Sequence, residues 1–428
     1  MTDFRLPVAV GPIRATVVVP GSKSVANRVL VCAALADGTS RLSNLPDGDD
    51  TEAMLAGLER LGARIERLGG TDVAVTGSGT VTGGSEVDAR LAGTTSRFLT
   101  AVAALGEFDT TITGEPALRA RPMKELHDAL RSLGAEVAPL AESGRLPVRV
   151  RRGSLVGGRV EMAGDVSSQF VTALMLVAPY FPEGLSIRLT TPLVSRPYVA
   201  MTANVMSQFG VEGIGVSDSL VNVEPGRYRP VDTTIEPDAS SASYPLALAA
   251  ICGGEVTVPH LTRDSSQGDV AIVDILGRMG CDVRFDGSGA VVVGGGVLRG
   301  IDIDMADVSD LVPTVAAVAA FAESPTTITG VGFIRGKESD RIGDLVEGLR
   351  SLGIAADALD DGLRVSPTTM SALHGAALST HHDHRLAMAW SLVAARVDGI
   401  TLDRPEVVSK SWPKWWDVRS TLLATSGR

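Results

Sequence analysis

Cysteine, aromatic residues and positive charge are all in short supply in these 428 residues, and each shortage excludes something. Cys32, Cys252 and Cys281 share no metal-type spacing and lie in apolar surroundings, so they read as reduced packing residues of a cytoplasmic protein. Aromatics make up 4% of the chain while glycine reaches 47 residues, so the core must be aliphatic, with backbones that approach closely. The longest apolar runs, near 170–181 and 311–322, fall short of the ~20 residues a bilayer span requires. The start, MTDFRLPVAVG, has no charged stretch followed by an apolar one, and no secretory signal is expected. With 39 Lys+Arg against 50 Asp+Glu the net charge is −11, which argues against nucleic acid or an anionic membrane as partner. Any anionic ligand must therefore be held by a local basic cluster. Neither GxGxxG nor GxxxxGK[ST] occurs, so no nucleotide cofactor is implied, and no other cofactor is expected.

What is present points to a folded protein with chemistry. At 44% hydrophobic and 21% charged residues the chain can bury a sizeable core, and its length suggests two domains. The most informative stretch is PGSKSVANR, 20–28. An extended run (15–19) stops at Pro20-Gly21, and an apolar helical run (25–36) follows. Ser22 or Ser24 is placed to cap that helix, and Ser24 and Arg28 share a face four residues apart. Lys23 lies beside the positive end of the helix dipole. A capped helix start with lysine and arginine suits a phosphate or carboxylate.

The chain repeats this device six times. A small-residue start leading into a β-branched strand recurs around Leu42, Ile112, Ile187, Val256, Ile328 and Ile400, in steps of 69 to 75 residues. An amphipathic helix ending in glycine and followed by a strand recurs at Gly62, Gly134, Gly210, Gly280 and Gly353. A polar stretch entering a strongly apolar helix recurs at Ser24, Thr94, Ser167, Ser240, Ser309 and Asp383. Helices apolar nearly all round are buried helices. Six units fit two domains of three units each, with three buried helices at the centre of each domain and sheets outside. The sixth unit lacks its last strand, and the N-terminal segment at 17–19 is expected to supply it. If the buried helices of each domain point their N-termini one way, the cleft between domains becomes an anion trap.

The loops at the repeat junctions carry the basic residues: Lys23, Arg28, Arg97, Arg119, Arg121, Lys124, Arg196, Arg335, Lys337, Arg341, Arg385 and Lys410. Any one alone reads as a solvated charge; their recurrence at equivalent junctions points to a common focus. Acidic candidates are Asp310, in DVSDLV, and Glu338, among the cations of RGKESDRI. Such a carboxylate suits hydrogen bonding to a hydroxyl or general-base work, although a helix cap or a salt bridge would use the same residues. His384, flanked by His381 and His382, lacks the helical i, i+4 histidine pair of a metal site, and no metal is expected.

PGSKSVANR, LAGTTSRFL, LRARPMKEL, VSSQFVTALM, SRPY, PDASSASYPLA, VSDLVPTVA, GKESDRI, HDHRLAMA and VSKSWP resemble, in order and over nearly the whole chain, the motifs of the enolpyruvyl transferase family, in its branch acting on shikimate 3-phosphate. The fold this resemblance implies is α/β: a two-domain inside-out α/β barrel, each domain three βαβαββ repeats with buried helices. The expected domains are 22–237 and 238–428, the second completed by 1–21, with the active site in the interdomain cleft.

The implied reaction transfers the enolpyruvyl group of phosphoenolpyruvate to the 5-hydroxyl of shikimate 3-phosphate. It releases phosphate by addition and elimination through a tetrahedral intermediate. By the same resemblance shikimate 3-phosphate would contact Lys23, Ser24, Arg28, Ser167, Ser168, Ser195, Tyr198, Asp310 and Lys337. Phosphoenolpyruvate would contact Lys23, Gly93, Arg121, Gln169, Arg341, Arg385 and Lys410. Lys23, Asp310, Glu338 and Lys410 would be catalytic. Asp310 would orient or deprotonate the hydroxyl, Glu338 would exchange a proton with the enol CH2, and the two lysines would steady the departing phosphate.

The chain departs from the family pattern at Leu91 and Phe333, where Asn is common, and at Phe98, where Pro is common. The related UDP-N-acetylglucosamine branch typically carries Cys or Asp in the loop that here reads GEPALRARPMKEL, which has neither. A non-catalytic anion-binding scaffold is the third reading. No membrane or nucleic-acid partner is expected, and monomer is the expected state.

Overall fold

The computed structural model describes residues 4–425. The chain divides into two compact units, one formed by Gly21–Ile235 and the other by Met1–Pro20 with Glu236–Arg428. Each unit has its own aliphatic core and is built from three copies of one βαβαββ pattern, the sixth copy having three strands instead of four among the described residues.

The second repeat of the 21–235 unit shows the pattern. Strand Glu86–Asp88 enters buried helix Gly93–Ala103, strand Thr110–Thr113 enters outer helix Lys124–Ser132, and strands Glu136–Pro139 and Val148–Arg151 close the repeat. The first two strands pair in parallel, with Val87 opposite Ile112. The second and fourth pair antiparallel, with Ile112 opposite Val148, and the third flanks the fourth. In VRVR the valines face the core and the arginines face water, the period-2 pattern of a half-buried strand. Four further sheets repeat this order, and none of the sheets closes into a barrel among the described residues.

Both units borrow strands from distant chain. The first repeat, around Asp37–Ser43, takes its opening strand from Thr233–Thr234. The fourth, around Gly254–Val258, takes its opening strand from Ile13–Thr16. The sixth is closed by Phe4–Arg5, antiparallel to Thr401–Leu402. The missing strand therefore comes from the N-terminal segment, at 4–5 and not at 17–19. Residues 17–19 lie just past Ile13–Thr16, which fills a place in the fourth repeat.

Lys23–Leu35, Gly93–Ala103 and Ser168–Val177 pack on one another at the centre of the 21–235 unit; Ala239–Cys252, Val312–Ala319 and His384–Val393 do so in the other. Of the two cap candidates for the first helix, Ser22 accepts from Val25 N, and ahead of Ser240 it is Asp238 that accepts from Ser241 N. Ser167 and Asp383 cap as expected. Gly93–Ala103 starts from Ala92 with no side-chain cap, leaving Thr94 inside the helix, and Ser309 lies in a 3-10 turn ahead of Val312.

Two glycines set the spacing of the helices that carry the polar residues. A Cβ on Gly57 would lie 2.1 Å from Leu99 Cδ1, and one on Gly348 would lie 2.4 Å from Trp390 Cζ2. Each glycine lets an outer helix, Asp49–Arg60 or Arg341–Ser351, lie close on a buried one. Filling either gap would force the kind of overpacking that costs about 1–3 kcal/mol.

Candidate active site

In the 21–235 unit the heads of the three buried helices converge. Lys23, the first residue of its helix, donates from Nζ to Asp50 Oδ2 at 2.9 Å, and Thr95 Oγ1 donates to the Asp50 carbonyl at 3.1 Å. The close approach at Gly57 brings Asp50 to Thr95, and its carboxylate reaches Lys23 as well, so one acidic residue ties the heads of two buried helices. Arg97 Nη1 donates to Gln169 Oε1, and its guanidinium lies 4.9 Å from the Phe170 ring centroid. Gly93 supports Arg121: a Cβ at Gly93 would stand 2.4 Å from Arg121 Nη1.

Arg28 is the deepest of these cations, with 2% of its surface exposed. Its Nε donates to Thr202 Oγ1 at 2.8 Å, Nη1 to the Ser24 carbonyl at 2.6 Å, and Nη2 to the Tyr198 carbonyl at 3.2 Å. The Phe98 and Tyr198 rings lie 5.5 and 5.8 Å from the guanidinium carbon. Phe98 thus packs against a buried cation. Every partner of Arg28 is neutral. Burial pushes its guanidinium down to about 10, a shift that Tyr198 only partly opposes. Such a charge is unsatisfied electrostatically, although its hydrogen bonds are made. Ser195 holds a left-handed backbone, φ +55°, at the entry to helix Arg196–Gln208, and Ser168 is buried.

The other unit assembles its charges differently. Arg341, 1% exposed, heads its helix and binds three carboxylates at once: Asp383 through Nε at 2.7 Å, Asp310 through Nη1 at 2.9 Å and Glu338 through Nη2 at 2.9 Å. Asp310 also accepts from Lys337 Nζ at 3.3 Å and Arg385 Nη2 at 2.8 Å. Glu338 also accepts from Lys410 Nζ at 2.8 Å. Asp383 caps the helix that carries Arg385, accepting from its backbone N at 2.9 Å. Phe333 places its ring centroid 5.7 Å from Lys337 Nζ. Four cations thus meet three carboxylates, one positive charge in excess.

Burial pushes the Asp310 carboxyl up, but Arg385, Lys337 and Arg341 outweigh it and hold the group well below the usual carboxylate range. For Arg341 burial works downward, and Asp383, Glu338 and Asp310 overcome it, leaving the guanidinium above its usual value. Asp269 behaves in the opposite sense. It is 2% exposed, accepts from Ser240 Oγ, and leaves Oδ1 without a hydrogen-bond partner. Burial, and next the charge of Asp310, push its carboxyl up to about 7.

Of the junction cations, Lys23, Arg28, Arg97 and Arg121 gather in one unit and Lys337, Arg341, Arg385 and Lys410 in the other. Four stand apart. Arg119 donates to the Gly114 carbonyl, Lys124 pairs with Asp128 on the surface, and Arg196 and Arg335 face Asp218 and Asp340. Asp50, Asp269 and the pairing role of Asp383 were not read from the sequence. The acidic run DGDD ahead of a helix was the available signal for Asp50, and HDHR read only as a cap for Asp383.

Comparison with known proteins bears on this geometry. Residues 8–418 match the family model described as EPSP synthase (3-phosphoshikimate 1-carboxyvinyltransferase). A 3-phosphoshikimate 1-carboxyvinyltransferase of Methanoculleus marisnigri is 42% identical over 411 residues, covering 95% of this chain and 96% of its own. One from Nostoc punctiforme is 39% identical over 420 residues, covering 97% and 98%. Among solved structures, the EPSP synthase of Acinetobacter baumannii superposes with a TM-score of 0.80 at 26% identity, covering 99% of this chain and 98% of that one.

Proposed function

The chain belongs to the EPSP synthase (3-phosphoshikimate 1-carboxyvinyltransferase) family, and we propose that its two polar clusters serve the reaction of that family. It is a transferase of the shikimate pathway, moving an enolpyruvyl (carboxyvinyl) group. The acceptor is shikimate 3-phosphate and the donor phosphoenolpyruvate. Lys23, Ser24, Arg28, Ser167, Ser168, Ser195, Tyr198, Asp310 and Lys337 take the acceptor; Lys23, Gly93, Arg121, Gln169, Arg341, Arg385 and Lys410 take the donor. A buried arginine with only neutral partners and a cluster with a surplus positive charge both favour anionic ligands.

The observation that carries the mechanism is the grip of Arg341 on Asp310 and Glu338 through its two terminal nitrogens. It fixes two carboxylates relative to each other, and these take different parts. The 5-hydroxyl oxygen bonds to C2 of the enolpyruvyl group while C3 gains a proton, giving the tetrahedral intermediate. The C2–O bond to phosphate then breaks as C3 loses a proton and the double bond returns. Glu338 exchanges the C3 proton. Asp310, held ionised by Arg385, Lys337 and Arg341, orients the hydroxyl and accepts its proton as the C2–O bond forms, and passes that proton to the phosphate that leaves. Lys23 and Lys410 steady the leaving phosphate.

No helix of the described residues is long and apolar enough to cross a membrane. Three free cysteines agree with a reduced, cytoplasmic setting, and monomer is the state we infer. The test is phosphate release with phosphoenolpyruvate and either shikimate 3-phosphate or UDP-N-acetylglucosamine. Release with shikimate 3-phosphate alone is expected. Release with the sugar nucleotide alone would reassign the acceptor, and silence with both would leave a binding scaffold.

A further inference from the structure

We propose that the 21–235 unit carries a second small-molecule site, for an aromatic monocarboxylate, at the opposite end of its buried helices from the substrate residues. A pocket of about 350 Å³ opens there. It is bordered by Leu35, the last residue of the first buried helix, by Leu105, just past the second, and by Tyr180, at the end of the turn that continues the third. Thirteen residues of α-helix rise about 20 Å, so Lys23, at the other end of the first helix, is that far away. The volume falls within the range of ligand pockets.

Its lining is selective in both shape and charge. Phe108 is 63% exposed, an unusual setting for a phenyl ring in a chain so poor in aromatics. Tyr180 is anchored by its hydroxyl, which donates to the Leu35 carbonyl, and burial pushes that hydroxyl up to about 12, keeping it a neutral donor. Arg227 lies 4.7 Å from the Tyr180 ring centroid and donates to the Gly79 carbonyl at 3.3 Å. Satisfying a carbonyl accounts for Arg227. It does not account for Arg152, whose guanidinium has no hydrogen-bond or ion-pair partner among the described residues. Its neighbours Arg149 and Arg151 both pair with Asp109, and Arg151 also with Glu136.

Glu107 is the one acidic residue of the lining, so two guanidinium groups leave one surplus positive charge. That balance matches a monoanion; a phosphate dianion would be drawn in against an uncompensated Glu107. A guanidinium fork fits a carboxylate in two-point fashion, and the apolar and aromatic walls fit a planar ring.

The test is equilibrium dialysis of the full-length protein with radiolabelled benzoate. One equivalent is expected to bind, and to stay bound when phosphoenolpyruvate and shikimate 3-phosphate are saturating. Affinity should fall on the order of tenfold in Arg152→Ala, by loss of a charge-assisted hydrogen bond, and about fivefold in Phe108→Ala, by loss of ring contact. Both side chains are exposed, so the variants should fold and release phosphate at the parent rate. No retention at millimolar benzoate, displacement by the two substrates, or equal binding by both variants would overturn the proposal.

Discussion

Arg28 and Arg341 are buried to almost the same degree, yet the two units hold them by opposite chemistry. Arg28 is surrounded by hydroxyls, carbonyls and aromatic faces, so its hydrogen bonds are satisfied while its charge is not. Arg341 is surrounded by three carboxylates, so its charge is more than answered. On the proposed assignment the first arrangement acts as a receptor, in which an incoming anion supplies the missing charge. The second acts as a frame, in which an arginine fixes the carboxylates proposed to act on protons. Burial alone therefore says little about the work of an arginine; the sign of its partners decides.

The largest effect that would sharpen this contrast is on turnover. Glu338→Gln keeps the shape of the frame and removes an exchangeable proton, so kcat should fall by about 10²–10⁴-fold with KM for both substrates nearly unchanged. Phosphate-release kinetics would measure this, and an unchanged kcat would remove Glu338 from the proton step. Next comes stability. Arg341→Leu strands buried carboxylates and should cost about 3–5 kcal/mol, whereas Arg28→Leu removes an uncompensated buried charge and should be near neutral or stabilising. Urea unfolding of both variants checks the pair, and equal losses would break the comparison.

A smaller effect is expected at Gly93. In Gly93→Ala the new methyl must displace the Arg121 guanidinium, raising KM for phosphoenolpyruvate by about tenfold, the order of one charge-assisted hydrogen bond. KM for shikimate 3-phosphate should hardly move.

A separate effect, on stability alone, is a pH dependence at Asp269. Its carboxyl rises from 3.8 to about 7 on folding, so between those values the folded state binds a proton that the unfolded state has lost. Stability from this group is therefore greatest below about pH 4 and declines as pH rises to about 7. Asp269→Asn should flatten that decline, making the urea midpoint less different between pH 5 and pH 8 than in the parent protein. Asp310 works in the other direction: its depressed value adds stability above the ordinary carboxylate range, lost only as pH falls below it.

Much of the architecture was legible because it rests on local rules repeated six times. Gly62, Gly134, Gly210, Gly280 and Gly353 all take the left-handed backbone expected after a helix, with φ between +81° and +111°. The apolar runs became buried helices because no face of them could be left in water. The borrowed strands were less legible. A two-residue strand such as Phe4–Arg5 has no period to read, and its partner lies almost 400 residues away in the chain.

The sequence by itself determined six repeats, their buried helices and the concentration of cations at the junctions, since these follow from hydrophobic periodicity, capping and composition. Only the tertiary structure decided which carboxylate meets which cation. Asp50 reaches Thr95 and Asp383 reaches Arg341 because Gly57 and Gly348 let particular helices lie close together. The charge balance that separates a receptor from a frame depends on distances between residues far apart in the chain, and a Coulomb interaction changes with each ångström of that distance.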